Sequence, residues 1–269
     1  MYTFTKHTNY DRFASVIGSL SEEELNSSAK LVDRLLIAED QKVKVAYCPF
    51  EWINPSAKIM IVGITPGPTQ LVNAARAFKV AFLNGQTQEN VLKTAKKQGA
   101  FSGSLRQDLI PLLDEARINR YLKIESCASL FGENSHLVHT TSLIRNATFK
   151  QDGTPYNGTP DPIKNSILFE QIQEGFCNEI SLAKDALLVP LGSAVDKAVQ
   201  ALCDRGFIDP NRVLFGIPHP SGGNRERTAY FLGRKKASDC SYKTNPVEMD
   251  RKKQILLNRI SVLSGDCVS

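Results

Sequence analysis

Residues 58–70 read KIMIVGITPGPTQ and carry the clearest strand-to-loop pattern in the sequence. This stretch opens with a charged residue, continues as a short apolar run, and ends in a loop built from Gly, Pro, Gly and Pro. A short apolar run bounded by turn residues is typical of a buried strand in a parallel sheet. In an open α/β sheet, ligands bind at the carboxyl ends of the strands. The stretch therefore predicts a strand that leads into a ligand-binding loop.

Other apolar runs extend this pattern along the chain. We expect strands at Ile59–Ile64, Leu137–Leu143, Ala186–Gly192 and Arg212–Ile217. We expect helices at Leu71–Asn84, Ser104–Arg117, Lys164–Lys184, Ser193–Asp204 and Pro246–Leu263. A further helix is expected over residues 19–40, where Ser21 and Glu24 form a capping box before leucines at helical spacing. Alternating strands and helices predict an α/β fold with three layers, α/β/α, and a central four-stranded parallel sheet.

Length and composition are those of an ordinary globular protein. The chain has 269 residues, of which 42% are hydrophobic and 23% are charged. We expect one domain over 1–269, with an N-terminal helical extension (1–45), a core (46–235) and a C-terminal helix (236–269). No apolar run reaches the length of a membrane span, and the N-terminus has no apolar signal region. The sequence thus predicts a soluble, cytoplasmic protein without membrane contact. No apolar stripe suggests an interface, so a monomer is expected.

Charge and cysteine content narrow the partners. Lys and Arg number 33 against 28 Asp and Glu, a net charge of +5, and basic residues concentrate in 224–236 and 251–253. Such clusters are candidate phosphate contacts. The six cysteines fit no zinc pattern, and their spacing gives little support to an iron–sulfur cluster. We expect free thiols and no cofactor or metal. The six are Cys48, Cys127, Cys177, Cys203, Cys240 and Cys267.

Two loops are candidates for chemistry. GITPGPTQ, residues 63–70, has no Gly-Lys-Ser/Thr after its glycines and no GxGxxG, so it is neither a P-loop nor a dinucleotide fingerprint. The second loop, PHPSGGNR at 218–225, follows the last predicted strand. It holds His219 between two prolines, which stiffens the backbone around the imidazole, and its glycines allow close approach to a ligand.

Together the two loops resemble those of the uracil-DNA glycosylase superfamily. That family has a GxxPG loop after its first core strand and an HPS loop after its last. The resemblance covers about Tyr47 to Arg227, and ALLVPLGSAV is similar to the family's third core strand. It implies an enzyme that flips a nucleotide out of DNA and hydrolyses its N-glycosidic bond, leaving an abasic site.

The resemblance also implies catalytic roles. His219 would donate to the base oxygen as the base departs, and the residue at position 65 would place the attacking water. Relatives carry Asp or Asn there, whereas this chain has Thr65, whose hydroxyl cannot accept a proton at neutral pH. Asp161 or Asp152, in the Gly/Pro-rich loop 150–162, are candidates to compensate. Alternatively, a very dissociative reaction would need little help from a base.

The same resemblance implies a base pocket. The first loop would contribute Gly63, Ile64, Pro66, Gly67 and Gln70. Phe101 in AFSGSLRQDL would stack on the flipped base. Gly67 stands where the most uracil-selective relatives carry a Tyr that excludes five-substituted pyrimidines, so it leaves room. Where relatives present an Asn to the base edge, we expect His139 or Thr140, and Asn146 comes several residues late.

The HPS loop would contact DNA directly. The expected DNA-binding residues are Ser221, Gly222, Gly223, Asn224, Arg225 and Arg227. Relatives insert a Leu or Arg into the vacated stack. Gly223 cannot fill that gap, so Arg225 is the candidate wedge, with Arg227 as a phosphate contact.

These observations predict a monofunctional DNA glycosylase, because the motifs hold no positioned Lys nucleophile. Its substrate is either uracil or another damaged pyrimidine in genome repair, or a pyrimidine enlarged at carbon five. Glucosylated hydroxymethylcytosine of phage DNA is an example of the second class, and Gly67, the missing Asn and the polar loop 150–162 favour it. Two other functions stay open. A DNA sensor that binds without cleaving would explain Thr65, and a nucleoside hydrolase would need no basic flank.

Overall fold

A computed structural model describes residues 9–265 of the chain. Five cysteines in this range are free thiols, as the sequence predicts, and Cys267 lies outside the described residues. The chain divides into two compact units, each assembled from three separate segments. The single domain expected from the sequence stays a prediction. The first unit comprises Met1–Pro55, Gly63–Ser102 and Thr140–Lys184, and the second comprises Ser56–Val62, Gly103–His139 and Asp185–Ser269, as far as these segments are described.

The fold is a mixed α/β fold with two small sheets. The strands are β1 (Leu36–Glu39), β2 (Val43–Ala46), β3 (Ile59–Gly63), β4 (Val138–Ser142), β5 (Ala147–Lys150) and β6 (Leu187–Pro190). The helices of the first half are α1 (Tyr10–Ser19), α2 (Glu22–Leu25), α3 (Ser28–Arg34), α4 (Pro68–Leu83), α5 (Gln88–Gly99), α6 (Ser104–Glu115) and α7 (Ile118–Leu122). Those of the second half are α8 (Ser166–Gln171), α9 (Asn178–Leu182), α10 (Ser193–Asp204), α11 (Arg225–Phe231) and α12 (Pro246–Ser264).

The parallel sheet predicted from the sequence is present in part. Its order is β4-β3-β6, and β3 pairs with β6 in parallel from Ile59↔Leu187 to Val62↔Pro190. Every residue of β3 is buried, as its apolar run predicts. The fourth strand, expected at 212–217, is reduced to two isolated parallel bridges, Leu188↔Val213 and Leu191↔Ile217. Gly216 interrupts it, because its φ of +108° lies outside the conformation of a strand.

An antiparallel sheet, β1-β2-β5, was not predicted. The single helix expected over residues 19–40 is wrong: α2 ends at Leu25, the Ser27 side chain caps a new helix, and Leu36–Glu39 forms β1. The capping box of Ser21 and Glu24 is present. Pairing of β1 with β2 overrides the helical spacing of the leucines, so the N-terminal region is a helical segment followed by a hairpin.

The remaining helices mostly follow the expectation. α4, α6, α10 and α12 lie where the sequence predicts them, while α5, α7 and α11 were missed. The helix expected at 164–184 begins at Ser166 and contains a π-helical turn, Ile172–Cys177. Within residues 9–265, no helix is both long enough and apolar enough to cross a membrane.

Candidate functional site

The first loop is fixed to β4 and the residues after it by backbone hydrogen bonds. The Gly63 carbonyl accepts from the Leu143 N–H at 2.9 Å, and the Ile64 carbonyl accepts from the Ile144 N–H at 3.1 Å. Pro66 is buried, and Gly67 precedes α4, which begins with Pro68. Proline is favoured at a first helical position because its fixed φ suits the helix. Hydrogen bonds at its start and a proline at the start of α4 thus fix the two ends of the loop, and the rigidity expected from its two prolines stays a prediction.

Thr65 has a structural bond pattern. Its hydroxyl donates to the Asn146 carbonyl at 2.8 Å and accepts from the Thr148 N–H at 3.0 Å. The only hydroxyl proton is used in the first of these bonds, so Thr65 retains one acceptor position. It can accept a hydrogen bond from a water but cannot donate one. Thr65 could therefore place a water only by accepting a hydrogen bond from it. Its two bonds also connect the first loop to the backbone at the start of β5.

Gly63 lies against two side chains. A Cβ atom at this position would stand 3.3 Å from Ser142 Oγ and 3.6 Å from Phe101 Cζ. The absence of a side chain at Gly63 thus allows a hydroxyl and an aromatic ring to meet at the end of β3. Ser142 was not among the predicted residues, although it is the last polar residue before the predicted strand end at Leu143. Its place one residue before the end of the predicted strand was the signal in the sequence that could have identified it.

Phe101 is held in a strained conformation. Its φ is +49°, in the left-handed region that residues with a side chain seldom adopt, and its ring is buried. Gln70 Oε1 accepts a hydrogen bond from the Phe101 N–H at 3.0 Å. Gln70, expected to contact a base, is instead buried and occupied with this backbone group. Such strain persists only where the surroundings fix it, and it is often found at functional sites.

The other predicted pocket residues fall on both faces of β4. Successive side chains of a strand alternate, so Thr140 shares a face with Ser142, while His139 points to the opposite face and is fully buried. Asn146 is structural: its Oδ1 accepts from the Cys48 N–H at 3.2 Å, and its Nδ2 donates to Gln171 Oε1 at 2.8 Å. Ser142 is therefore a further candidate on the face of Thr140, and the role expected of His139 or Thr140 stays a prediction.

The two candidate general bases, Asp161 and Asp152, lie in turns. Asp161 is exposed, and its Oδ1 accepts from the Ile163 N–H at 2.9 Å. Asp152 is also exposed, and hydrogen bonds from the Thr154 side chain and N–H lower the pKa of its carboxyl. A lowered pKa makes a carboxylate a weaker base. Neither environment is that of a general base.

A buried ion pair was missed, and one of its members, Arg145, follows Ile144, whose N–H donates to the Ile64 carbonyl of the first loop. Arg145 Nη1 lies 3.5 Å from Glu179 Oε1, and the two side chains are 6% and 0% exposed. Arg145 Nε has no hydrogen-bond partner among the described residues. Lys96 is buried as well, and its Nζ donates to the carbonyls of Phe50 and Trp52. Burial lowers the pKa of Lys96 to about 8. These charges stabilise the first unit only while each keeps its partners.

The second loop, in the other unit, fixes the tautomer of His219. The Ser221 N–H donates to His219 Nδ1 at 3.2 Å. A backbone N–H can only donate, so Nδ1 is the acceptor and Nε2 carries the proton of the neutral ring. Burial lowers the pKa of His219 from its ordinary value of 6.5. At neutral pH the imidazole is therefore uncharged, with Nε2–H as its donor.

Gly192 supports His219 from the turn between β6 and α10. Its N–H donates to the Ile217 carbonyl at 2.8 Å, and its φ is +85°. A Cβ atom here would stand 2.8 Å from His219 Cβ, closer than such atoms approach. The turn is thus built so that the imidazole packs directly on the backbone of residue 192.

Gly192→Ala is expected to destabilise the protein by about 2–4 kcal/mol, from backbone strain and the clash with His219. Denaturant unfolding measures the loss. Gly206→Ala is the matched control, since Gly206 has φ +76° but nothing within 4 Å of a Cβ atom. It should cost only the strain, about 1–2 kcal/mol. Equal losses in the two variants would show that His219 does not rest on Gly192.

The rest of the second loop divides into free and bound residues. Arg225 is exposed, as are Gly222 and Gly223. Asn224 Nδ2 donates to Ser221 Oγ at 3.0 Å. Arg227 is engaged: Nη1 donates to Asn224 Oδ1 at 2.7 Å and Nη2 donates to the Lys243 carbonyl at 2.6 Å. The exposure of Arg225 is compatible with the predicted wedge role. Arg227 instead links Asn224 to the Lys243 carbonyl, and its phosphate contact stays a prediction.

Comparison with known proteins identifies one relative. No family model matches the chain, and no solved structure matches it at a significant level. The uncharacterized protein YoxB of Bacillus subtilis (strain 168) is 34% identical over 214 residues, which cover 78% of this chain and 83% of YoxB. Similarity over this share of both proteins extends well beyond any one loop. The chain therefore belongs to the same protein family as YoxB.

Proposed function

We propose that this chain is a monofunctional DNA glycosylase that hydrolyses the N-glycosidic bond of a modified pyrimidine and leaves an abasic site. The observation that carries the proposal is the state of His219. A proline-flanked loop presents a neutral imidazole whose Nδ1 is occupied by the Ser221 N–H. Its one remaining donor is Nε2–H, the group that a departing base requires. A surface histidine without such a constraint would exchange between tautomers.

The reaction requires stabilisation of the charge that develops on the base. As the bond breaks, the base leaves as an anion and the sugar becomes an oxocarbenium-like cation. In the proposed mechanism, Nε2–H of His219 donates to the base oxygen and stabilises this negative charge. A fixed donor of this kind costs little reorganisation when the charge appears. Hydrogen bonding without proton transfer suffices, which suits a ring whose pKa is lowered by burial.

The water that attacks the sugar receives little help from a base. Thr65 offers one acceptor position, and Asp152 and Asp161 are exposed and engaged in turns. This supports a strongly dissociative path, in which the cation forms first and water then adds. The path places most of the catalytic demand on His219.

The substrate proposed is a cytosine modified at carbon five, such as glucosylated hydroxymethylcytosine, which would make the protein a defence enzyme. A Cβ atom at Gly67 would meet nothing within 4 Å, so this edge of the first loop is open. Ser142 offers a single hydroxyl in place of an amide. A hydroxyl can donate or accept, so it discriminates less between uracil and cytosine edges. The alternative substrate is uracil in base-excision repair.

The complete fold proposed is the three-layer α/β/α arrangement with a four-stranded parallel sheet. The parallel pairing of β3 with β6 supports it, and so do the bridges that Val213 and Ile217 make beside β6. Gly216 would then be a local interruption of the fourth strand.

Abasic-site formation tests the proposal. The purified protein would be incubated with uracil-containing oligonucleotides and with DNA that carries glucosylated hydroxymethylcytosine, and abasic sites would be scored by alkali cleavage. We expect cleavage of the modified DNA. Cleavage of uracil DNA alone would assign the protein to repair. Absence of abasic sites in both would refute both substrate assignments.

Gly67→Tyr is expected to lower excision of five-substituted pyrimidines at least tenfold, because the ring fills the open edge of the first loop. Any excision of unsubstituted pyrimidines should change less than threefold. Gly67→Ala adds a methyl group only and is the matched control. The measurement is single-turnover cleavage of paired substrates that differ only at carbon five. Equal losses on both substrates would mean that Gly67 does not face carbon five.

A second candidate function is DNA binding without cleavage. The two bonds of the Thr65 hydroxyl favour it, because they leave no donor to orient a water. A binding-only protein would retain tight binding to damaged or modified DNA and release no base under single-turnover conditions. The abasic-site assay, run beside a binding assay on the same DNA, separates the two functions.

A further inference from the structure

The segment 238–245, which we call the clamp segment, is anchored to α11 by Glu226. The carboxylate accepts from the Ser241 hydroxyl at 2.9 Å and from the Ser241 N–H at 3.1 Å, and Lys235 Nζ donates to it at 3.1 Å. Hydrogen bonds from the side chains of Thr244 and Ser241 lower the pKa of Glu226 to about 2. The carboxylate is therefore charged at all physiological pH values and holds the segment throughout.

Arg227 connects the clamp segment to the loop of His219. Its guanidinium donates to Asn224 Oδ1 and to the Lys243 carbonyl, and Asn224 in turn donates to Ser221 Oγ. Ser221 is the residue whose N–H fixes His219. One guanidinium thus sets the position of the clamp segment relative to the proposed DNA-binding loop.

The clamp segment carries one aromatic side chain, Tyr242, that is almost fully exposed. Tyr242 is 93% exposed, and Lys243 Nζ lies 5.8 Å from its ring centroid. A single exposed aromatic side chain needs no explanation in itself. Here hydrogen bonds to Glu226 and Arg227 hold the residues on either side of it, Ser241 and Lys243, and Lys243 is itself exposed. A rigid aromatic face with flanking positive charge is the combination that binds unstacked bases and their phosphates.

We propose that Tyr242 stacks on an unstacked nucleobase of bound DNA, while Lys243 contacts the adjacent phosphate. This inference rests on the proposed function. Both faces of a base inside an intact duplex are covered by its neighbours, so the ring requires a base with an open face. Two sources present such a base: single-stranded DNA, and the unpaired base left opposite a nucleotide that has been flipped out. The shared ligand chemistry is one open base face beside a phosphate.

Fluorescence anisotropy with three labelled DNA probes tests this inference in the full-length protein. The probes are a single strand, a fully paired duplex, and a duplex that contains a stable abasic analogue and thus an unpaired base. Tyr242→Ala is expected to weaken binding about 5- to 150-fold for at least one of the probes with an open base, the range of one stacked base. Binding to the paired duplex should change less than twofold. Tyr242→Phe should bind as the wild type does, because it keeps the ring.

A control variant makes the outcomes distinct. Phe207→Ala removes another exposed ring of the same unit and should leave all three affinities unchanged. The affected probe identifies the source, a single strand or the unpaired base. If the wild type binds DNA and Tyr242→Ala binds every probe as tightly as the wild type does, the inference fails while the proposed function stands. An equal loss on the paired duplex also overturns it. If the wild type binds none of the probes, the proposed function fails and the inference fails with it.

Discussion

Replacing His219 with Ala is expected to lower the rate of base excision by about 10²–10³-fold, the usual effect of removing one fixed donor from a developing anion. The rate falls because Nε2–H is the only donor of the neutral ring and alanine has no side-chain donor. His219→Gln should retain part of the activity, since its amide also donates. Single-turnover cleavage of the best substrate measures both variants.

The pH profile checks the same role independently. Burial lowers the pKa of His219 below its ordinary value of 6.5, so the ring is neutral above that pH and protonates only at lower pH. Protonation of Nδ1 below that pH removes the acceptor of the Ser221 N–H. We therefore expect a flat rate above pH 6.5 and an acid limb below it, which His219→Gln lacks. His136→Ala, a change in an exposed histidine of the same unit, should alter neither rate nor profile.

Removing Glu179 is expected to have the largest effect on stability. Glu179→Ala leaves the Arg145 guanidinium buried without its carboxylate partner, and such losses amount to about 3–5 kcal/mol. The Glu179 charge also raises the pKa of Lys96, so its loss further disfavours the charged lysine. Denaturant unfolding followed by circular dichroism measures the change. Glu174→Ala, at an exposed position of the neighbouring π-helical turn, should stay within about 0.5 kcal/mol of wild type.

A double variant distinguishes loss of an ion pair from loss of packing. Arg145→Met combined with Glu179→Leu removes both charges and keeps apolar volume, so it should recover most of the stability that Glu179→Ala loses. If the double variant loses as much free energy of unfolding as Arg145→Met and Glu179→Leu lose in sum when made singly, the two charges act independently. The 3.5 Å separation of the pair, together with the unpartnered Arg145 Nε, makes recovery the expected result.

The parts of the fold that could be predicted from the sequence are those with strong local patterns. The apolar runs of β3 and β6, and the Ser193–Asp204 helix, are visible because burial on both faces or on one helical stripe leaves a clear residue period. The β1–β2 hairpin leaves no such trace. Its strands have four residues each, and the spacing of Leu31, Leu35 and Leu36 fits a helix equally well. Only pairing with a distant segment decides between the two.

The candidate site shows the same division. His219 and the expected rigidity of both loops follow from prolines and glycines that can be read directly. The partners of Thr65 and Gln70 could not be predicted, since they are backbone groups 81 and 31 residues away. Ser142 depended on the register of β4 against β3, which the Leu143-to-Gly63 hydrogen bond fixes. His139 and Thr140, the residues expected from the sequence, lie three and two positions before Ser142 on the same strand.

The pairing of β3 with β6 bears on how the protein is made. Ile59 pairs with Leu187, so 128 residues (187 − 59) must be synthesised before this edge of β3 can be covered. At ordinary rates of translation this takes roughly 6–26 s. During that interval an apolar strand has an open edge, the condition under which chains associate wrongly. Newly synthesised chains are therefore expected to be most prone to wrong association before Leu187 has been made, and slower translation would lengthen that interval.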